Sequence, residues 1–390
     1  MQAGLIVLCL AYVLSQFFRA FLAVLATVLE TDIGASAEDL AFASGLWFLV
    51  FATMQLPVGW ALDTIGPRRT AASLMAVGAG GGAALFAMAT APWQISVAMG
   101  LIGLGCSPAL MASYFIFARE YPPAKFATLA ALMLGVGSLG NLVASYPTAW
   151  ASEVIGWRAT LGALSLMGFA VAAGIFLKVR DPEQLVSDHK GSVLDILKLP
   201  VVWPILALML VNYAPSGAIR GLWIGPYLSD VYGLSPTQIG QATLAMGVAM
   251  ILGTLAFGPL DRIFGSRKWV VLAGNLACAL TVLILALYVE ASVLAVAALM
   301  ALAGFTGATY PVIIAHARAF FPAHLTGRGV TLMNLFGMGG IGIMQFLSGR
   351  LHGAYSGESA ALPYQVIFAF FGISLLLGVL IYAFSRDSVD

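Results

Sequence analysis

Apolar runs about twenty residues long, separated by short polar stretches, set the rhythm of this chain. They cover 4–28, 40–62, 71–90, 93–118, 125–150, 159–178, 201–228, 238–260, 269–288, 291–317, 327–349 and 363–384. About 20 apolar residues carry a helix across the hydrocarbon core, so each run predicts one membrane span. The connections are short except for 179–200, a charged stretch that reads RDPEQ from Arg180. It divides the spans into an N-terminal six-helix bundle, 1–178, and a C-terminal one, 201–390, with a cytoplasmic linker between them. Within the linker, Ser192–Leu199 has the pattern of a short amphipathic helix lying on a membrane surface.

Composition agrees: 61% of the 390 residues are hydrophobic and 9% charged, with mean hydropathy +0.97. A soluble domain carries about a quarter charged residues. The net charge of +1 says little, but the placement of the charges sets the topology. With a cytoplasmic N-terminus, the inner loops and tail hold Arg68, Arg69, Arg119, Lys125, Lys178, Arg180, Lys190, Lys198, Arg262, Arg267, Lys268, Arg318, Arg328 and Arg386. The outer loops hold Arg158 and Arg350. That asymmetry predicts a multi-pass protein of a bacterial-type inner membrane, both termini cytoplasmic. The first run lacks a basic leader and a small-residue cleavage site, so it is expected to be retained. Cys9, Cys106 and Cys278 all fall in apolar runs and suggest neither disulfides nor zinc.

Two arginines remain, and both lie inside apolar runs. Arg220 sits in VNYAPSGAIRGLWIGP, Val211–Pro226; Arg19 sits in SQFFRAFLAV. A guanidinium near mid-bilayer costs roughly 3 kcal/mol on the mildest insertion scale, and arginine does not escape by deprotonation. Each is expected to face a water-accessible, protein-lined space and to hold an anion. Pro215, Gly217 and Gly221 predict a bend or break beside Arg220.

The halves repeat. Pro122 and Pro322, Met133 and Met333, Gly137 and Gly337, and Gly140 and Gly340 are each 200 residues apart; Arg19 and Arg220 are 201 apart. The two arginines are therefore equivalent positions on the first span of each half, and a central cavity with a mid-membrane site is expected.

After the second span the chain reads GWALDTIGPRR, Gly59–Arg69, and a weaker copy, GPLDRIFGSRK, spans Gly258–Lys268. This resembles the signature loop of the major facilitator superfamily. With twelve spans in a six-plus-six repeat, the resemblance extends over the whole chain and implies an all-α, pseudo-symmetric two-bundle transporter. It implies gating roles for Asp63, Arg68, Arg69, Arg119, Asp261, Arg262 and Arg318. Asp63 would cap the start of the eleventh helix near Leu325–Arg328 and pair with Arg68 or Arg119, and Asp261 would act toward the fifth helix near Lys125. The fourth span lacks the internal arginine of the superfamily's drug/proton antiporters, and LMLGVGSLGN in the fifth lacks their glycine–proline motif. An arginine on the first and on the seventh helix is instead similar to its organic anion carriers, especially organophosphate:phosphate exchangers.

Helical spacing supplies neighbours for the arginines: Tyr12 and Gln16 on the first span, and Asn212, Tyr213, Ser216 and Trp223 on the seventh, with Tyr227 further along. The repeat adds Tyr114, Asn141, Tyr310, Asn334 and Met338, together with Leu134, Ser138, Ser145, Ile341 and Gln345. Guanidinium forks suit carboxylate, sulfonate or phosphate. The expected function is secondary transport of a small organic anion by alternating access, as a monomer among membrane lipids. No enzyme activity, cofactor, metal or nucleic acid is expected. No Asp or Glu lies mid-span, so exchange against a counter-anion, or movement with protons on the substrate, is favoured over carboxylate proton antiport. His316 reads as a structural or gate histidine. Two alternatives stay open: a copper or other transition-metal importer built on Met246 and Met250 with Cys106 and Met111, and an exporter of hydrophobic or zwitterionic compounds.

Overall fold

The computed structural model describes residues 2–182, 193–322 and 325–388; the 183–192 stretch of the linker, including Lys190 and Ser192, lies outside them. Among the described residues every regular element is helical. Ten helices are long and apolar enough to cross a membrane: Ala37–Thr64, Pro67–Ala87, Pro92–Glu120, Trp157–Lys178, Pro200–Tyr232, Pro236–Phe264, Arg267–Leu287, Val293–Arg318, Thr326–Tyr355 and Leu362–Tyr382. Two bent pairs complete twelve spans, Ala3–Phe17 with Leu22–Ile33 at 55°, and Thr128–Val143 with Tyr146–Ile155 at 42°. Of the amphipathic segment, Val193–Leu197 is helical.

The chain forms two compact units, Met1–Val186 with Ser235–Gln241, and Ser187–Leu234 with Ala242–Asp390. In the first, the opening span breaks at Phe18–Phe21. Nothing in SQFFRAFL obliges a break; packing does. Phe21 stacks on Phe17 at 5.6 Å, meets Phe18 edge-on at 5.7 Å and tilts onto Phe86 of the third span at 5.3 Å. Phe18 and Phe21 are fully buried. Phe86 also meets Trp157 of the sixth span. Such aromatic contacts are worth about 0.5–1.5 kcal/mol each beyond burial, which together offsets the lost helical hydrogen bonds.

Repeat-related glycines do the same task in both units. A Cβ on Gly140 would run into the carbonyl oxygen of Val13, and one on Gly340 into that of Leu210. Without a side chain there, the fifth span lies backbone-to-backbone on the first, and the eleventh on the seventh. The third span contains a π-helical stretch, Ala76–Gly82, and an added Cβ on Gly78 or Gly82 would run into Leu101 and Gly105 or Ile102 of the fourth span, so these glycines serve helix packing.

One end of each unit is fastened by a carboxylate that follows its sixth span. In the first, Asp181 accepts the backbone N–H of Arg68 at 2.7 Å, at the start of the third span. In the second, Asp387 accepts the N–H of Lys268 at 3.1 Å and the hydroxyl of Ser266. A carboxylate on a helix N-terminus is favourable because the first N–H groups lack helical partners. Beside this second clip, the Tyr382 hydroxyl donates to His316 Nδ1 at 2.6 Å, and His316 Nε2 donates to the Arg386 carbonyl at 2.9 Å. Both ring nitrogens of the fully buried His316 are committed to holding the tail.

Candidate functional sites around two arginines

In the first unit, Arg19 occupies the break itself. Its guanidinium carbon lies 5.6 Å from the Trp47 ring centroid and 5.5 Å from that of Phe51. Those rings stack at 5.1 Å, being one turn apart on the second span. Arg19 Nε and Gln16 Oε1 are both buried without a hydrogen-bond partner. Among the described residues Arg19 joins no ion pair. Buried polar atoms are rarely left unpaired. Here a nitrogen of a cation and the oxygen of an amide, one turn apart, are buried with their hydrogen-bonding capacity unmet by the protein. Tyr12, one turn earlier, packs over Gly137 of the fifth span. Trp47 and Phe51 escaped the sequence reading because an aromatic in an apolar run carries no local mark; their i, i+4 spacing was the available signal.

In the second unit the seventh span is interrupted, as Pro215 and the glycines predicted. The helix Trp203–Asn212 ends at Tyr213, Ala214–Ala218 follows, and Ile219–Trp223 forms a π-helical turn around Arg220. Arg220 is 4% exposed. Gly247 of the eighth span makes room for it: a Cβ there would stand 3.0 Å from Arg220 Nε and one terminal nitrogen. Ser216 Oγ is buried without a partner, and Tyr213 meets Tyr310 edge-on at 5.7 Å.

Other expected site residues are placed less simply. Asn212 donates to Asn275 Oδ1 at 2.5 Å and Thr309 Oγ1 at 3.0 Å, and Asn275 donates to Thr309 at 2.9 Å. This knot ties the seventh, ninth and tenth spans, and it uses Asn212's amide hydrogens. Trp223 is fully buried, donating to Ser348 Oγ at 2.9 Å. The Tyr310 hydroxyl donates to Asn334 at 2.7 Å, Tyr114 meets Phe126 edge-on, Asn141 is half-buried and Met338 is buried. Tyr227 is held by its hydroxyl on the Val289 carbonyl. Met246 and Met250 lie over Gly304 of the tenth span, whose added Cβ would meet them at 3.2 and 2.9 Å. That is the packing use of methionine.

The signature loops carry ion pairs within their own units. Asp63 pairs with Arg119 at 3.4 Å, while Arg68 lies 3.9 Å from Asp181 and over the Phe176 ring. Asp261 pairs with Arg267 at 3.3 Å. Arg69, Arg262 and Arg318 are exposed.

The sequence matches the Major Facilitator Superfamily over residues 8–222 and again over 208–390. The chain belongs to that superfamily. The superfamily's fold is also what the solved structures share with it. The chain resembles a D-xylose-proton symporter with TM-score 0.78 at 15% identity over 98% of each chain. It resembles a bacterial homologue of the human lysosomal transporter Spinster with TM-score 0.69 at 17% identity, covering 98% of this chain and 96% of that one. Two curated Escherichia coli K12 proteins are similar over part of their length. The putative transporter AraJ is 22% identical over 146 residues, 37% of each chain. The sialic acid transporter NanX is 23% identical over 193 residues, 48% of this chain and 47% of that protein. The matches thus span less than half the length of these relatives. As a member of the superfamily, the protein is a multi-pass membrane transporter.

Proposed function

We propose that this chain is a secondary active transporter of a small organic anion, working by alternating access in a bacterial-type inner membrane with both termini cytoplasmic. Arg19 and Arg220 bind the anion. The observation that carries this reading is the unpartnered pair at the first-span break, Arg19 Nε and Gln16 Oε1, held against Trp47 and Phe51. A half-buried guanidinium with an unpaired Nε supports an anion over a cation or a neutral solute, because only an anion completes its charge and its forked donors. The sialic acid named for one partial relative is itself a carboxylate, which agrees with the class. A metal importer would bring a cation to arginines, and its methionines pack on Gly304.

The test is a thermal-stability screen of purified protein against carboxylates, phosphates, sulfonates, neutral solutes, organic cations and Cu(I). A ligand selective for the folded state at 100 times its Kd adds about 2.7 kcal/mol of stability. An anion shift that disappears in Arg19→Ala and Arg220→Ala supports the reading. A shift from Cu(I) or a neutral solute alone, retained in both variants, overturns it.

A further inference from the structure

At the end of the second unit opposite its carboxylate clip, three spans bring together groups that no local motif announces. Asp230 closes the seventh span and is exposed; Tyr364 opens the twelfth and is fully buried; His352 stands near the end of the eleventh, half-buried. The Tyr364 hydroxyl donates to Asp230 Oδ2. His352 Nε2 lies 3.3 Å from that same hydroxyl oxygen. The flat face of Trp223 covers the imidazole, centroids 5.4 Å apart and planes 29° apart.

Proton accounting gives this chain a direction. A tyrosine hydroxyl has one hydrogen, and Tyr364 gives it to Asp230. Its oxygen can then only accept from His352, so Nε2 carries the N–H of the neutral ring. The chain His352 N–H to Tyr364 O–H to the Asp230 carboxylate stabilises an imidazolium at one end by a carboxylate at the other. Trp223 adds a ring face, which attracts a cation. The remaining titratable neighbours are placed around this core. Tyr227 stacks on Tyr364 at 5.3 Å with its hydroxyl on the Val289 carbonyl. Tyr232 donates to the Val289 and Ala291 carbonyls. Glu290, next to Val289, is exposed. Arg350, two residues before His352 and so about 200° around the helix, is exposed, as are Tyr355 and Glu358.

Trp223 is also the last residue of the π-helical turn that carries Arg220. Its indole N–H is anchored on Ser348, one turn before His352 on the eleventh span. A change of charge on the imidazole therefore acts on the element that sets the arginine.

We infer that His352 is a proton-binding site, its charged form stabilised through Tyr364 by Asp230, whose occupancy Trp223 transmits to the Arg220 turn. This assigns the transporter a proton ligand on an imidazole, where no mid-span carboxylate is available. It builds on the proposed role of Arg220, but its test uses no anion, so the two readings fail separately.

The protein in lipid nanodiscs is titrated from about pH 8 to 5 while tryptophan emission is followed. An unperturbed histidine changes charge near 6.5, and a stacked imidazolium quenches indole emission. The wild type is expected to show a quench that is absent in His352→Gln and in Trp223→Phe. In Asp230→Asn the midpoint should fall, since the carboxylate favouring the cation is gone. Amide hydrogen exchange of the 219–224 peptide, corrected for its intrinsic pH dependence, should slow severalfold on acidification in wild type and be unchanged in His352→Gln. A quench that survives in His352→Gln, or exchange that ignores pH in wild type, overturns the inference. If His352→Gln fails to fold, Trp223→Phe and Asp230→Asn decide it by the same titration.

Discussion

Arg19 and Arg220 occupy equivalent positions in two copies of one bundle, yet the protein has solved the same physical problem twice by different means. Arg19 lies in a true break, where the helix stops for a turn and an aromatic pair carries the cation. Arg220 lies in a widened turn of a span that continues, sealed from water and seated over a glycine. The difference teaches that a repeat conserves where a charge must be, while the local backbone solution follows from the packing available. Phenylalanines drive the first, and proline with glycine permits the second.

The contrast sets an order of effects. The more desolvated guanidinium should matter more, because its hydrogen bonds act in a lower dielectric. With the anion that gives the largest thermal shift, Arg220→Ala is expected to lower kcat/KM for uptake into proteoliposomes on the order of 100-fold, and Arg19→Ala on the order of 10-fold. Equal losses would break the comparison. Next comes Gly247→Ala. The new methyl would stand 3.0 Å from the guanidinium nitrogens and should cost about 10-fold in kcat/KM by moving the fork. Far-ultraviolet circular dichroism should be unchanged, and an uptake rate like wild type would show that Arg220 is not fixed by this seat. Trp47→Leu removes a cation–π contact worth about 0.5–1 kcal/mol at a part-exposed site, so KM should rise about 3-fold with kcat nearly constant. A collapse of kcat would mean that Trp47 holds the break rather than the cation.

The smallest effect belongs to the clips. Burial alone would raise the Asp387 carboxyl, but the hydrogen bonds from Ser266 and the Lys268 amide win and hold it below the usual carboxylate range. Its contribution to stability is therefore present above that range and is lost as pH falls through its lowered value. Asp387→Asn should lower the melting temperature slightly at neutral pH and match wild type in acid. Exposure and screening keep this to about 0.5 kcal/mol or less. A variant gap that persists in strong acid would assign the clip's contribution to shape rather than charge.

The fold was legible because a membrane forces its pattern onto the chain: the spans and the repeat can be read from apolar length and from residues 200 apart. The arginines were legible for the same reason, since a charge inside an apolar run is costly. The interruption at Tyr213, just before Pro215, was written locally; the break at Phe18–Phe21 was not, because it depends on Phe86 of the third span. Met246 and Met250 show the converse, with a suggestive local spacing that Gly304 explains by packing. The His352–Tyr364–Asp230 chain draws on three spans, so no window of sequence contains it.

The two clips also matter to anyone attaching cargo to this protein. Because Asp387 is moored to Ser266 and Lys268, a fluorescent or affinity module joined after Ser388 hangs from a pinned point, and its tugging is borne by the third span of that unit rather than by the twelfth helix alone. A graft placed before Asp387 would remove the mooring and leave His316 and Tyr382 to take the strain. Asp181 gives the first unit a mooring of the same kind, on the start of its third span.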